Sequence, residues 1–328
     1  MKLIIQIPCF NEEKTLPEVF KEMPVSIPGI STIEYQIIDD GSTDRTIEIA
    51  KELGVNHIVS AGRSNRRWLG RAFRLGVDNA LRAGADILVN TDGDNQYPSH
   101  LIPELIKPII EGRADIVIGD RNPGSVQEFS WIKQRLQVLG SWVIQCLTGS
   151  PVNDAVSGFR AYSRESLLKI HGLTNFTYTV DTLIQAHMKG LDIEWVPILT
   201  NPKTRDSRLI KSLINKVRRS GITILRLVTL YRPFTTFLWI TSLFLLPGVA
   251  LLGRFLYFYL FAPAEASGHI QSVVVGGVFL VIAVQLFVLG ILAELLSANR
   301  TLIEDALTRL KRIEFFSDDK NSRVDGGL

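Results

Sequence analysis

Two long apolar runs near the carboxyl terminus constrain the fold more than any other feature of this 328-residue sequence. The runs extend from Phe234 to Leu260 and from Val273 to Leu296, and each contains a single charged residue. Each run is long enough to cross about 30 Å of hydrocarbon as a helix. We therefore predict two transmembrane helices, at residues 234–260 and 273–296, within a segment covering residues 233–297. Two buried helices of a soluble domain are the alternative.

The charged residues around the two runs predict the orientation of the chain. Nine Lys or Arg and one acidic residue lie between Lys203 and Arg232, and further basic residues follow the second run. The loop between the runs, residues 262–272, contains no Lys or Arg. Because basic flanks are retained in the cytoplasm, we expect an integral protein of the plasma membrane with its N-terminal domain and both termini cytoplasmic. Residues 298–328 are expected to form a cytoplasmic helix and, after Phe316, a disordered polar tail.

The first two hundred residues alternate between strand and helix patterns. Helices are expected at residues 43–53, 71–83 and 98–111, and each is followed by a glycine, namely Gly54, Gly84 and Gly112. The apolar runs typical of buried strands are Leu3–Ile7, Tyr35–Ile38, His57–Ser60, Ile87–Asn90 and Ile116–Gly119. This alternation predicts an α/β domain over residues 1–208 with a Rossmann-like, mostly parallel sheet.

Polar clusters follow four of the predicted strands. The clusters are Asn11-Glu12-Glu13, Asp39-Asp40-Gly41-Ser42, Asp92-Gly93-Asp94 and Asp120-Arg121. Since ligands of such sheets bind at the carboxyl ends of the strands, we expect these clusters to form an active site. Asp39 and Asp40 have a second interpretation, because such residues often cap helices. Ser42 and Thr43 can take that role and leave an aspartate to bind a ligand.

The turn after the fourth predicted strand carries oxygen ligands at alternate positions. Asp92, Asp94 and the amide of Gln96 suit Mg²⁺ or Mn²⁺, which often join one or two carboxylates to substrate phosphates. A calcium loop would need Gly and Glu where this chain has Tyr97 and Pro103, so that interpretation fails. A merely acidic turn stays open. The sequence has no P-loop and no Gly-rich dinucleotide motif after a strand, so a metal and Arg or Lys must bind phosphates.

A basic amphipathic pattern occupies residues 209–232. Apolar residues from Ile210 to Val228 recur on one helical face, and Lys216 and Arg219 lie on or near the other. Because this helix leads directly into the first apolar run, we expect it to lie in the membrane interface against anionic headgroups. An ordinary surface helix packed on the domain is the alternative.

The series of motifs resembles that of family 2 inverting glycosyltransferases with the GT-A fold. The stretches that carry the resemblance are Ile7–Glu13, Asp39–Asp44, Asp92–Pro98, Gly119–Arg121 and Ser157–Arg160. Within that family the chain is most similar to the dolichol-phosphate mannose synthase and polyprenyl-phosphate glucosyltransferase group, and its two apolar runs resemble the hairpin of bacterial glucosyl-carrier members. The resemblance covers residues 3–215 and implies an enzyme that uses a nucleotide-sugar donor, a polyprenyl phosphate acceptor and Mg²⁺ or Mn²⁺.

Carried over position by position, the resemblance implies roles for individual residues. Asp92, Gly93 and Asp94 would lie against the donor, with Asp94 and Gln96 as the metal ligands. Arg121 would face a phosphate. Apart from the resemblance, Asp154 lies just before the Ser157–Arg160 stretch, and we expect it to orient the attack. The residues expected to line the nucleotide pocket are Pro8, Phe10, Glu12, Asp39 and Asp40.

Residues 205–211 match the family less well. The family's Arg-x-x-Gly-x-Ser-Lys stretch corresponds to Arg205 through Lys211, but Arg208 replaces the usual Gly and Ile210 the usual Ser. We still expect Arg205 and Lys211 to bind donor or acceptor phosphates, with Arg205 among the catalytic residues. The sequence lacks the Gln-x-x-Arg-Trp motif of processive synthases, which favours the transfer of a single sugar.

A phosphate acceptor simplifies the expected chemistry. A phosphomonoester has a second pKa of about 6, so it is an anionic nucleophile at neutral pH and needs no strong base. Direct displacement would invert the anomeric centre. We favour UDP-glucose as donor, with GDP-mannose as the alternative. A family 2 enzyme acting on a sugar hydroxyl would need a base such as Asp154 or Asp181, and a non-enzymatic nucleotide-sugar binder also stays open.

Two further expectations concern partners. The lipid bilayer is expected to bind the apolar runs, and no nucleic-acid partner is expected. The sequence leaves open whether the chain forms a homo-oligomer.

Overall fold

A mixed seven-stranded sheet lies at the centre of the N-terminal domain. The computed structural model describes residues 1–62, 69–121, 142, 144–145, 149, 151–171, 178–201, 228–263 and 267–324. The strands are β1 (Lys2–Cys9), β2 (Thr32–Asp39), β3 (His57–Ser60), β4 (Ile87–Asn90), β5 (Ile116–Asp120), β6 (Arg160–Ser163) and β7 (Ile193–Pro197). Their order is β3-β2-β1-β4-β6-β5-β7, and β6 runs antiparallel to β4 and β5 whereas the other neighbours are parallel. The expected GT-A-like, mostly parallel sheet is confirmed.

Strand β1 forms the middle of the core. Leu3, Ile4, Ile5 and Ile7 are fully buried, because β2 and β4 flank the strand and helices cover both faces of the sheet. A strand covered on both faces has a nearly continuous apolar sequence instead of an alternating one. The sequence of β1 therefore predicted a buried strand correctly.

Six helices surround the sheet in the part of the domain that the structure describes. They are α1 (Leu16–Lys21), α2 (Thr46–Glu52), α3 (Leu69–Arg82), α4 (Ile102–Ile110), α5 (Arg164–Lys169) and α6 (Thr179–Met188), and a 3₁₀ turn (Ser99–Leu101) precedes α4. The helices predicted from the sequence are present as α2, α3 and α4. Gly54, Gly84 and Gly112, which follow them, have φ angles of +74°, +76° and +70°. Glycine is favoured at this left-handed position after a helix, so the predicted helix ends are confirmed.

A second compact unit contains two long apolar helices. The chain divides into one unit of Met1–Asn215 with Asp305–Leu328 and another of Lys216–Glu304. Helix α7 (Pro233–Phe261) and helix α8 (Ile270–Val324) are long and apolar enough to cross a membrane, and a short 3₁₀ turn (Ser267–His269) precedes α8. In the most apolar 18-residue stretch of each helix, only 11% of the residues of α7 and 17% of those of α8 are buried. Such exposed apolar surface suits lipid and differs from the buried helices of a soluble core, so the protein is a membrane protein.

Glycines allow α7 and α8 to pack closely. A Cβ atom built on Gly290 would lie 2.8 Å from the Cβ of Phe237, and one built on Gly276 would lie 3.1 Å from the Gly248 carbonyl oxygen. Small residues at such positions let helix backbones approach each other in a membrane. The two helices therefore form a packed hairpin.

Helix α8 continues without a break beyond the second apolar run. We expected a separate helix from residue 298 and disorder after Phe316, whereas α8 extends to Val324. The disordered tail stays a prediction, and the helix is described as far as Val324. Most of the expected interface helix at 209–232 lies outside the described residues, which resume at 228, and it stays a prediction.

The C-terminal part of α8 packs on the N-terminal domain. Lys311 Nζ lies 3.0 Å from Asp78 Oδ1 on α3, and Arg82 Nη2 lies 3.1 Å from Glu314 Oε1. The Arg82 guanidinium also lies 5.7 Å from the centroid of the Phe315 ring, and Phe315 is 4% exposed. Residues 305–315 therefore belong to the first unit and cover α3 with both ion pairs and a buried ring.

We predict that Phe315→Ala destabilises the N-terminal domain by about 3 kcal/mol, because a buried aromatic side chain is replaced by a cavity. The measurement is thermal unfolding of the full-length protein in detergent. Ile313→Ala is the matched control, since Ile313 is 67% exposed and its truncation should change stability little. Equal stability losses in the two variants would show that residues 305–315 do not pack on the domain in solution.

Candidate active site

Acidic side chains lie at one edge of the sheet. Asp39 ends β2 beside Cys9 at the end of β1, and the Asp40 N–H donates to the Cys9 carbonyl at 3.0 Å. Asp92 and Asp94 follow β4, the other neighbour of β1. Because these strands are parallel, their carboxyl ends lie at the same edge, as expected for a ligand site. Strand β5 has the same direction, since β6 is antiparallel to both β4 and β5, so its end also lies there.

The segment after β1 is held against the loop after β2. Ser42 Oγ accepts a hydrogen bond from the Asn11 N–H at 3.0 Å, and Asn11 Oδ1 accepts one from the Thr43 N–H at 2.8 Å. The Glu12 N–H donates to Thr46 Oγ1 at 2.8 Å. Ser42 and Thr43 therefore fix the segment that carries Pro8, Phe10 and Glu12. They do not cap α2, which begins only at Thr46.

Gly93 lets the turn after β4 pack directly on the end of β1. A Cβ atom built on Gly93 would lie 3.2 Å from Cys9 Sγ and 3.4 Å from both Glu12 Cγ and the Pro8 carbonyl oxygen. A larger residue would push these groups apart. The close approach brings the carboxylates of the turn toward the nucleotide-pocket candidates of β1.

The turn itself is closed by local hydrogen bonds. Asp94 Oδ1 accepts from the Gln96 N–H at 3.1 Å, and Asn95 has a φ angle of +57°, which Asn tolerates better than most residues. Asn201, after β7, donates its N–H to the Gln96 carbonyl at 3.0 Å and its side-chain amide to the Asn95 carbonyl at 3.1 Å. The metal-ligand candidates Asp94 and Gln96 therefore lie in a turn that is fixed from two sides.

Asp92 lies where negative charge accumulates. Burial, together with the Asp94 and Glu12 carboxylates, raises the pKa of its carboxyl to about 7, and the Arg121 guanidinium opposes this shift. Burial, followed by Glu12 and other carboxylates, also raises the pKa of the Cys9 thiol. A bound cation would remove this repulsion and favour the charged carboxylate.

The oxygen atoms of the turn fit a divalent cation that takes its remaining ligands from a substrate. Among the described residues, no group of three or more His, Cys, Asp and Glu could hold a metal ion by itself. Mg²⁺ commonly combines one or two carboxylates with phosphate oxygens and water, and Asp94 with Gln96 could supply the protein ligands. Asn95 Oδ1 is buried and has no hydrogen-bond partner among the described residues, so the turn offers a further oxygen.

Arg121 and Asp154 form a buried, bidentate ion pair. Arg121 Nε lies 2.6 Å from Asp154 Oδ2, and its Nη2 lies 2.9 Å from Asp154 Oδ1. The Asp154 side chain is 0% exposed and that of Arg121 is 12% exposed. Both oxygens of Asp154 bind the guanidinium, and the expectation that Asp154 orients the attack stays a prediction. In this pair Asp154 fixes Arg121, which lies 6.0 Å from the centre of the Tyr97 ring.

The structure also reveals residues that the sequence did not single out. Asn90, Tyr97 and Tyr178 are buried and make hydrogen bonds to the backbone of Gly158, behind Asp92. Asn90 could have been identified as a candidate from the sequence, because it is a polar residue in an otherwise apolar strand. Of the remaining candidates, Arg205 and Lys211 lie outside the described residues.

We predict that Asp154→Ala destabilises the protein by about 3 kcal/mol, because it leaves the Arg121 guanidinium buried without its partner. The double variant Arg121→Met with Asp154→Leu should recover most of this loss while activity stays absent. Glu194→Ala, which breaks an exposed pair with Arg113, is the control and should cost less than about 1 kcal/mol. Chemical unfolding measures all three, and similar costs for Asp154→Ala and Glu194→Ala would contradict the assignment.

A family model and several curated relatives match this chain. The glycosyl transferase family 2 model matches residues 4–170. A polyprenol monophosphomannose synthase of Mycolicibacterium smegmatis is 28% identical over 206 residues, which cover 60% of this chain and 76% of the relative. A dolichyl-phosphate hexose transferase of Haloferax volcanii is 27% identical over 208 residues, which cover 63% of this chain and 86% of the relative.

A solved structure supports the same fold. The crystal structure of glucosyl-3-phosphoglycerate synthase from Mycobacterium tuberculosis with Mn²⁺, UDP and glucosyl-3-phosphoglycerate matches with a TM-score of 0.53 and 22% identity. The match covers 68% of this chain and 79% of that one. The residues matched by the family model include the site from Glu12 to Asp154, and the chain is a glycosyltransferase that belongs to glycosyl transferase family 2.

Proposed function

We propose that this protein transfers one sugar from a nucleotide-sugar to a polyprenyl phosphate at the cytoplasmic face of the membrane, with inversion of the anomeric centre. The observation that carries the proposal is a single chain with both a carboxylate turn, suited to a metal-bound diphosphate, and two helices able to cross a membrane. A water-soluble donor and a lipid-embedded acceptor require both parts. The names of the two relatives support the same class of acceptor.

UDP-glucose is the donor that we favour. The support is the two-helix hairpin, which resembles that of the glucosyl-carrier members of the family. GDP-mannose is the alternative, and the name of the mycobacterial relative favours it. In either case Asp39 and Asp40, at the end of β2, would bind the base or the ribose.

In the proposed reaction, an oxygen of the lipid phosphate attacks the anomeric carbon of the sugar. A carbon–oxygen bond to the lipid phosphate forms while the bond to the nucleoside diphosphate breaks, and the electron pair of the broken bond leaves with the diphosphate. The attacking phosphate needs no general base, because its second pKa is about 6. Bound Mg²⁺ or Mn²⁺ would stabilise the negative charge of the leaving diphosphate.

The residues of the site would then bind and orient the two substrates. Asp94 and Gln96 would hold the cation, and Asp92 would lie against the donor. Arg121, kept in place by Asp154 and with 12% of its side chain exposed, would contact a phosphate. Arg205, Lys211 and the basic segment at 209–232 would add positive charge near the lipid head, and the segment would keep the domain at the membrane surface.

A sugar hydroxyl is less well supported as the acceptor. A hydroxyl nucleophile needs a general base within hydrogen-bonding distance. Of the two candidates, Asp154 is fully buried and paired with Arg121, and Asp181 is 2% exposed. Neither carboxylate is accessible to a substrate in this structure, whereas a phosphate acceptor needs no base.

The experiment that tests the proposal is a transfer assay with the purified full-length protein in detergent. Polyprenyl phosphate is incubated with labelled UDP-glucose, GDP-mannose or UDP-N-acetylglucosamine, with and without Mn²⁺. A lipid product that mild acid cleaves identifies a sugar phosphodiester. An acid-stable glycoside would instead identify a hydroxyl acceptor and overturn the proposal.

We predict that Asp94→Ala lowers the turnover number at least about 100-fold, the scale of losing one group that stabilises transition-state charge. Membrane insertion and melting temperature should stay unchanged, because the turn keeps its contacts with Asn201. Asp192→Ala is the matched control, since Asp192 directly precedes β7 at the opposite edge of the sheet. Near wild-type turnover of Asp94→Ala at millimolar Mg²⁺ would show that this carboxylate holds no cation.

The proposed orientation predicts that the connection between α7 and α8 lies outside the cytoplasm. A cysteine at Gly268 should react with an impermeant maleimide added outside intact cells, since the loop lacks Lys and Arg. Ser322→Cys is the control and should react only after the membrane is permeabilised. Both variants are made without Cys9 and Cys146. Labelling of Gly268→Cys only after permeabilisation would reverse the proposed topology.

A further inference from the structure

The backbone of Gly158 is held on both sides by buried side chains. Its N–H donates to the Tyr97 hydroxyl at 3.1 Å. Its carbonyl oxygen accepts hydrogen bonds from Asn90 Nδ2 at 3.0 Å and from the Tyr178 hydroxyl at 3.3 Å. Asn90 Nδ2 also donates to the Tyr178 hydroxyl at 2.7 Å, so the two donors to the carbonyl are bound to each other. The backbone on both sides of the Gly158 Cα therefore has little freedom to move.

Gly158 forms the surface behind the Asp92 carboxylate. A Cβ atom built on Gly158 would lie 3.3 and 3.4 Å from the two carboxylate oxygens of Asp92, and 3.4 Å from the Tyr178 hydroxyl. The carboxylate thus occupies the space that a side chain at position 158 would need. Any shift of the Gly158 backbone therefore changes its packing against the Asp92 carboxylate.

A chain of side-chain amides, fully buried at Gln36, Gln6 and Asn90, fixes the orientation of Asn90. Asn79 on α3 donates to Gln36 Oε1 at 2.6 Å, and Gln36 Nε2 donates to Gln6 Oε1 at 3.0 Å. Gln6 Nε2 donates in turn to Asn90 Oδ1 at 2.9 Å. Each donor in this chain points the same way, from α3 across β2 and β1 to β4, so the hydrogen bonds reinforce one another. Because Asn90 Oδ1 accepts the last of them, the Asn90 amide nitrogen is left to donate toward Gly158.

The packing of the Tyr178 ring does not depend on the hydrogen bonds of its hydroxyl. It stacks on Phe73 with ring centroids 4.3 Å apart and planes inclined by 5°. Next to it, Arg160 donates from Nη1 to the Thr179 carbonyl at 2.7 Å and from Nη2 to the Ala155 carbonyl at 3.0 Å. Removing the hydroxyl alone would therefore leave the packing of this region in place.

We propose that Tyr178 is a positioning residue for the donor side of the site. Through the Gly158 carbonyl, its hydroxyl sets the position of the Asp92 carboxylate and thereby the fit of the nucleoside diphosphate with its cation. Tyr178 acts through Gly158 and does not touch the reacting atoms. The inference rests on the proposed function only for the role of Asp92 beside the nucleotide-sugar, and it is independent of the acceptor.

The test is the Tyr178→Phe variant of the full-length protein, which keeps the ring and removes the hydroxyl. We expect the affinity for UDP or GDP with Mn²⁺, measured by calorimetry, to fall about tenfold, the scale of losing one buried hydrogen bond. The KM for the nucleotide-sugar should rise by a similar factor, while the KM for polyprenyl phosphate stays nearly unchanged.

Tyr162→Phe is the matched control. The Tyr162 ring is buried and also packs on Phe73, at 5.5 Å between centroids, but its hydroxyl lies beside Arg160 and Thr182 and is not among the three side chains described above that bind the Gly158 backbone. This variant should bind nucleotide like the wild type. Gly158→Ala is a second test, because its Cβ would press directly on Asp92 and should weaken nucleotide binding without affecting the acceptor.

The outcomes separate this inference from the proposed function. If the wild type binds nucleotide but makes no sugar phosphodiester, the proposed function fails, and weaker nucleotide binding by Tyr178→Phe still supports the positioning role. Wild-type nucleotide affinity in Tyr178→Phe would overturn the inference. Equal losses of affinity for donor and acceptor would also overturn it, since they would indicate a purely structural hydroxyl.

Discussion

Repulsion between carboxylates that the sheet brings together is the constraint on which the rest of the site depends. Asp92, Asp94 and Glu12 converge because β1 and β4 are adjacent and parallel, and burial together with this convergence raises the pKa of Asp92 to about 7. Such an arrangement costs stability in the absence of positive charge. A bound cation with a diphosphate would offset this cost by neutralising the carboxylates. Arg121, which opposes the shift, is itself held by a dedicated buried carboxylate.

The sequence was most informative where one physical cause acts alone. Parallel strands covered on both faces have continuous apolar sequences, so β1 to β5 could be predicted from hydropathy. Helix ends could be predicted because few residues other than glycine adopt a positive φ angle, as Gly54, Gly84 and Gly112 do. The grouping of polar residues after these strands then followed from topology. The family resemblance covers the same part of the chain.

The sequence was least informative where side chains from distant parts of the chain meet. Strand β6 begins with Arg160, whose charge indicates an exposed position, yet carbonyl oxygens and the hydroxyl of Thr182 satisfy its buried guanidinium. Asp154 was assigned to the reaction because it precedes a motif, and only the structure reveals its pairing with Arg121. Gln6 lies within an apolar run and gives no sign of its partners Gln36 and Asn90. Such pairings depend on three-dimensional proximity, which hydropathy does not encode.

The antiparallel strand β6 has an evolutionary consequence. Strand β5 ends at the edge of the sheet that carries Asp92, and β6, which runs in the opposite direction, begins at that edge. The connection between them, residues 121–159, therefore leaves and re-enters the sheet beside Asp92, and Arg121, Asp154 and Gly158 lie near its two ends. Between Arg121 and Asp154 its length can change without altering the order or register of any strand. Descendants of one fold could thus vary this intervening stretch while they inherit the carboxylate turn and the residues that support it.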